Sequence, residues 1–176
     1  MKEFIQKHKL FSFYTVLMLV IVLIAIFAPW LAPGDAFSSD MSKALQAPSA
    51  QHVFGTDKLG RDVLSRIIYG TQLSLFMGVS IVVIMVSIGT VIGAVAGYFG
   101  GKVEMVLMRL ADIMLSFPGV VLAIAIAGIL GGSIVNTILA LSVVGWAKYA
   151  RLVRSMTLKV RGEEYVTAAV MMGAST

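Results

Sequence analysis

Leu10–Leu31 and Leu73–Tyr98 carry no charged side chain, and Met105–Leu130 carries only Arg109 and Asp112. Runs of that length and apolarity match the roughly 20 residues a helix needs to cross a ~30 Å hydrocarbon core. A fourth run, from Ile134 to about Trp146, is shorter unless Ala147–Ala150 extend it. Inside lipid a backbone must satisfy its own polar groups, which leaves the helix as the element for segments of this kind. The pattern predicts an all-α, polytopic transmembrane helical bundle with four spans. Composition agrees: the chain is 59% hydrophobic and 13% charged, and its mean hydropathy is +0.94, well above that of a soluble domain.

The first run follows Lys2, Lys7 and Lys9, as a secretory signal would. It exceeds the ~7–15 apolar residues of such a signal, and Pro29 and Trp30 stand where small residues would be needed for cleavage. An uncleaved span is expected instead, with Trp30 at the far interface. The chain then divides into a tail (1–9), a first span (10–31), a polar segment (32–72) and a core from 73 to 176. Only Gly131, Gly132 and Ser133 separate the third and fourth spans.

Charge sets the orientation. The tail, Lys102 with Arg109 nearby, and the group Lys148, Arg151, Arg154, Lys159 and Arg161 are all positively biased. The 32–72 segment balances Lys43, Lys58, Arg61 and Arg66 against Asp35, Asp40, Asp57 and Asp62. With the N-terminus in the cytoplasm, every positively biased segment falls inside, as the positive-inside rule requires. The net charge of +5 is therefore read as topology and not as a nucleic-acid surface.

Several chemistries find no support in the sequence. There is no cysteine for disulfides, thiolate nucleophiles or metal. His8 and His52 are far apart among polar neighbours and read as surface residues, so no metal or cofactor is expected. The Gly-Gly-Lys at 100–102 resembles a phosphate loop but fails. Ala96 stands at the first glycine, and Val103 replaces the magnesium-binding hydroxyl. The expectation is a protein that is not an enzyme.

Four groups of residues stand out. Gly89, Gly93 and Gly97 recur every four residues, which lets membrane helices approach closely; they mark a helix interface within the bundle or with a second subunit, unless they reflect only the general frequency of glycine in membrane helices. Arg109 and Asp112, three apart on one helical face, read as an ion pair near the cytoplasmic end of the third span or, more ambitiously, as a proton relay or substrate contact. Pro118-Gly119 beyond them should kink the helix. Between Phe54 and Leu75 the spacing of Leu59, Val63, Leu64, Ile67 and Ile68 predicts an external amphipathic helix capped by Thr56 or Asp57, with Asp62 and Arg66 paired. It would serve as a gate or docking surface, or lie on the membrane. Finally, Glu163 and Glu164 favour a helix start, and Tyr165, Ala168, Ala169, Met172 and Gly173 share a small-residue face. The basic helix before it would carry the fourth span into the cytoplasm. That face suits docking, an interfacial helix or the start of a fifth span.

Three stretches, FGTDKLGRDVLSRIIYGTQLSL, GYFGGKVEMVLMRLADIMLSFPG and GWAKYARLVRSMTLKVRGEEYVTAAVMMGAS, together resemble the membrane-spanning permease subunits of bacterial ABC importers, in the dipeptide, oligopeptide and nickel branch. With the spans between them they cover most of the chain from about Gln51. The resemblance implies the type I importer permease fold, usually with six spans, in the bacterial inner membrane. It implies a coupling helix here at Glu164, Tyr165, Ala168, Ala169, Met172 and Gly173, which docks on a separate ATP-hydrolysing subunit. Its other implied partners are a second permease subunit and an extracytoplasmic binding protein. Thr167 departs from the pattern, since many members place an acidic residue there. The motif's second half and the last spans would lie beyond Thr176, so the chain is expected to be a fragment. Two rivals of other classes remain: an ion- or proton-coupled carrier working through Arg109 and Asp112, and a membrane anchor for a soluble complex.

Overall fold

The structure is a computed structural model and describes residues 9–174. Lys2, Lys7, His8 and Thr176, which entered the sequence reading, lie outside that range. Seven α-helices and one 3-10 turn make up the regular structure of the described residues. The chain forms two compact units, Met1–Phe76 and Met77–Thr176.

In the first unit, α1 (Lys9–Ile26) is apolar on every side and buries only Ala25. A helix apolar all round needs an apolar surrounding. The expected span to Leu31 is interrupted at Phe27, and α2 (Ala28–Leu31) follows with Pro29 in its first turn, where the missing N–H costs nothing. Asp40 accepts from the Ser42 N–H at 3.1 Å and opens the 3-10 turn Met41–Lys43.

The external amphipathic helix is not a separate element. It is the beginning of α3 (Val63–Phe99), 37 residues long. Nor do Thr56 and Asp57 cap it, because Gly60 has φ +74 and its α-carbon faces the Asp40 carbonyl, so no helix passes through that position. The cap is Asp62, whose Oδ2 accepts from the Ser65 N–H at 2.7 Å and the Ser65 hydroxyl at 2.8 Å. Asp62 does not pair with Arg66. Its other oxygen meets His52 Nδ1 at 3.0 Å, and His52 is thus a half-buried loop fastener, contrary to its reading as a plain surface residue. Asp57 instead binds Arg61 and Arg66 and accepts from the Leu59 N–H at 2.8 Å. Ser65, fully buried, accepts from the Gly34 N–H at 3.0 Å and pins the loop's other end. Desolvation pushes the Asp62 carboxyl up, yet the Ser65 and His52 hydrogen bonds outweigh it and hold it below its ordinary 3.8.

The second unit contains the rest of α3, then α4 (Gly101–Ser116), α5 (Gly119–Leu130), α6 (Ile134–Arg161) and α7 (Glu164–Met171). Pro118 does more than kink the third run. Phe117 before it is extended, at φ −90 and ψ 146, as a residue preceding proline prefers, and α4 and α5 meet at 91°. α6 packs against both of them. The core is Ala111, Trp146, Ala147 and Ala150, with Ile92, Met108, Met114 and Leu115 around it. Ser133 caps α6 by accepting from the Asn136 N–H at 3.1 Å.

Among the described residues, two helices, α1 and α3, are long and apolar enough to cross a membrane, or three if the bent α4–α5 pair is one span. The expected fourth span is absent from that set. α6 has the length, at 28 residues, but Lys148, Arg151 and Arg154 dilute its second half. It continues unbroken through Ala147–Ala150, as the basic pattern suggested.

Candidate functional site

Gly89, Gly93 and Gly97 lie along one face of α3 and meet α6 of the same chain. A Cβ on Gly89 would stand 2.5 Å from Tyr149 Cβ and 2.8 Å from the Trp146 carbonyl oxygen. On Gly93 it would stand 2.9 Å from Val153 Cβ and 3.0 Å from the Arg154 nitrogen, and on Gly97 2.7 Å from Thr157 Cβ. As α3 advances from 89 to 97, its α6 neighbours advance from 146 to 157. The two helices therefore run parallel, and the basic half of α6 lies beside the apolar C-terminal half of α3 without projecting past it. At the shared end, Arg161 Nη1 donates to the Tyr98 carbonyl at 3.1 Å.

That register places arginines beside an apolar helix, and α4 supplies the countercharge. Arg151 Nη2 binds Asp112 Oδ1 at 2.6 Å, and Arg154 Nε binds Glu104 Oε1 at 2.7 Å. The expected Arg109–Asp112 pair is not formed, because Asp112 is taken by α6 and Arg109 has no ion pair among the described residues. Sequence reasoning missed Glu104, Arg151 and Arg154 as partners. The available signal was two acidic residues two turns apart on α4 facing a basic run on a later helix.

Past Gly162 the chain turns into α7, with Glu163 at its N-cap and Glu164 in its first turn. The helix closes at Gly173, φ +95. There the Gly173 N–H bonds Val170 O and the Ala174 N–H bonds Ala169 O, each at 3.0 Å. These are the two bonds of a Schellman cap. Gly173 therefore ends the helix and is not part of its face. The remaining small-residue face divides: Ala169, with Val166, is half-buried toward the ends of α3 and α6, while Glu164, Ala168 and Met172 are exposed. Tyr165 is 65% exposed. Beneath α7 lies a cavity of about 650 Å³ bounded by Tyr98, Phe99, Val160, Tyr165, Val166 and Ala169 among others. α7 thus hangs on a short tether, thinly packed below and open above. Among the described residues no group of three or more acidic or histidine side chains could hold a metal.

Residues 89–176 match the family model described as the binding-protein-dependent transport system inner membrane component. The chain belongs to that family. Residues 5–48 match the N-terminal transmembrane domain of oligopeptide transport permease C, as expected of a multi-pass inner-membrane component. The dipeptide transport system permease protein DppC of Alkalihalophilus pseudofirmus is 43% identical over 169 residues, 96% of this chain and 56% of the relative. The probable D,D-dipeptide transport system permease protein DdpC of Escherichia coli is 43% identical over 160 residues, 91% of this chain and 54% of the relative. The nickel transport system permease protein NikC of the same organism is 38% identical over 159 residues, 90% of this chain and 57% of the relative. The chain spans about half the length of the curated relatives it matches. The part matched by the first model begins at the glycine ridge and includes α7.

Proposed function

We propose that this chain forms part of the membrane-spanning permease of an ATP-driven importer for dipeptides, oligopeptides or nickel, and that α7 transmits movement from a separate ATPase. In the proposed topology the N-terminus is cytoplasmic. A second permease subunit completes the path, and an extracytoplasmic binding protein delivers solute to the side where residues 32–72 lie. The family membership and the relatives' transport names support the class, and the charge bias supports the orientation.

The observation that carries the coupling role is α7 itself. An eight-residue helix with an exposed tyrosine, an exposed alanine and two methionines exposed at 83% each presents an apolar, small-residue surface that none of the described residues covers. Such a surface suits a snug protein cleft. The permease would respond to the ATPase only to the extent that contacts at α7 differ between its two conformations. Nothing found supports the carrier reading through Arg109 and Asp112, and Asp112 pairs with Arg151 of α6 instead of Arg109.

Co-purification of the full-length protein with its ATPase tests the proposal. Ala168→Trp adds bulk to the exposed face while leaving the inward Ala169 and the cap at Gly173 untouched, and is expected to abolish association. Undiminished association with a correctly folded Ala168→Trp protein would refute the coupling role.

A further inference from the structure

At the break between α4 and α5, a cavity of about 490 Å³ opens against α3 and α6. Its walls are apolar, with Met85, Met114, Phe117, Val120 and Leu141 among them. Of all the side chains lining it, only Lys148 is charged, and only Tyr149 beside it is otherwise polar. The other two cations on this half of α6 that face α4 are neutralised, Arg151 by Asp112 and Arg154 by Glu104. Lys148, an exposed residue at the rim of that cavity, has no ion pair or hydrogen bond among the described residues.

Depth makes that unusual. Gly145, three residues before Lys148, packs on Met85, and Tyr149, the next residue, packs on Gly89. Although charge alone grouped Lys148 with the cytoplasmic residues, it is level with the 85–89 segment of α3, about 15 Å along the axis from that helix's end at Phe99, while Lys159 and Arg161 remain at that end. The segment lies in the middle of an uncharged run, Leu73–Tyr98. A charge at such a level pairs, or faces a polar path, and marks a candidate contact for solute. An unpaired cation at the rim of an apolar cavity complements an anionic group attached to an apolar body.

We infer that Lys148 is a recognition point for a carboxylate on the transported solute, with the apolar walls around Met85 and Phe117 taking the rest of that solute and Tyr149 offering a hydroxyl beside it. This rests on the importer reading above and adds to it a residue and a chemical group. The carboxylate could be the C-terminus of a peptide or belong to an organic nickel chelate, and uptake distinguishes the two.

The test uses the full-length protein with its partner subunits in cells lacking other uptake routes. Uptake is followed for a dipeptide, its C-terminal amide and a nickel–carboxylate chelate, in wild type, Lys148→Gln and Lys148→Arg. If the wild-type complex takes up none of them, the importer reading fails for these solutes. Lys148 is then judged on the purified complex, where the free dipeptide or the chelate, but not the amide, should shield it from an amine-reactive reagent. Where uptake occurs, Lys148→Gln should raise KM for the carboxylate-bearing solute by roughly tenfold or more, the size of one lost charge-assisted hydrogen bond. The amide should be unaffected, and Lys148→Arg should restore most of the loss. Equal losses for acid and amide, which a packing or lipid-contact role would give, would overturn the inference, as would no loss at all or equal shielding by acid and amide.

Discussion

Replacing Gly93 with alanine is the sharpest probe of how α3 and α6 are held together. On helix propensity alone the change should help, by about 1 kcal/mol. At this position the added methyl meets the Ala150 carbonyl oxygen, Val153 Cβ and the Arg154 nitrogen. Two of those three atoms are backbone, so no rotamer change relieves the clash, and the helices must separate. Overpacking of that kind costs about 1–3 kcal/mol, and with backbone on the far side the upper half of the range applies. After the propensity gain, Gly93→Ala should lose about 1–2 kcal/mol. Gly78 on the same helix has nothing within 4 Å of where a Cβ would stand, so Gly78→Ala should be neutral or stabilising. Trp146 lies at this interface at 7% exposure while Trp30 is 77% exposed. A Trp30→Phe background thus gives a local fluorescence reading of unfolding in detergent. A Gly93→Ala protein as stable as Gly78→Ala would refute the close-packed α3–α6 ridge.

Two further outcomes follow from particular residues. Asp62 is held below its ordinary 3.8, so its contribution to the loop is complete above the unfolded-state value of about 3.9 and disappears as pH falls through the lower folded value. Hydrogen exchange at Ser65 and Val63 should accordingly be flat from pH 7 to about 5 after correction for intrinsic rate, and rise below about pH 4; Asp62→Asn should remove that acid step. Gly173→Val forces a branched residue into the left-handed region at a cost of roughly 1–2 kcal/mol. It should fray the last turn of α7, seen as faster exchange at Met172 and Gly173, whereas Ala168→Trp should leave those amides protected.

Much of the fold was legible because lipid permits so few solutions. The apolar runs at 10–31 and 73–98 fall in α1–α2 and α3, and the glycine spacing identified a close-approach face. Spacing could not say which helix approached it. That information lies in the match between Gly89–Gly97 and the α6 face of Trp146, Ala150, Val153 and Thr157, which is distant in sequence. The break at 117–118 was visible as a proline, but its 91° angle depends on α6 packing against both halves. Charges were the hardest to place. Arg109 and Asp112 sit at ideal spacing for a local pair, yet Arg151 on another helix offers Asp112 a bond that also neutralises a charge lying beside α3. The loop was misread for a similar reason. Thr56 and Asp57 read as caps and Asp62 as a partner of Arg66, and only the left-handed Gly60 moves the helix start on to Asp62. At α7 the projection put Tyr165, Ala168, Ala169, Met172 and Gly173 on one face, whereas Ala169 turns inward, Ala168 stays exposed, and the helix ends at Met171 before Gly173.

The importer account depends above all on which side of the membrane α7 occupies. The chain contains no cysteine, so a single Tyr165→Cys substitution gives one labelling site on an exposed position. In intact cells this thiol should stay unlabelled by a membrane-impermeant maleimide and become labelled once the inner membrane is opened. Labelling in intact cells at the rate of a control cysteine in the 32–72 segment would contradict the account.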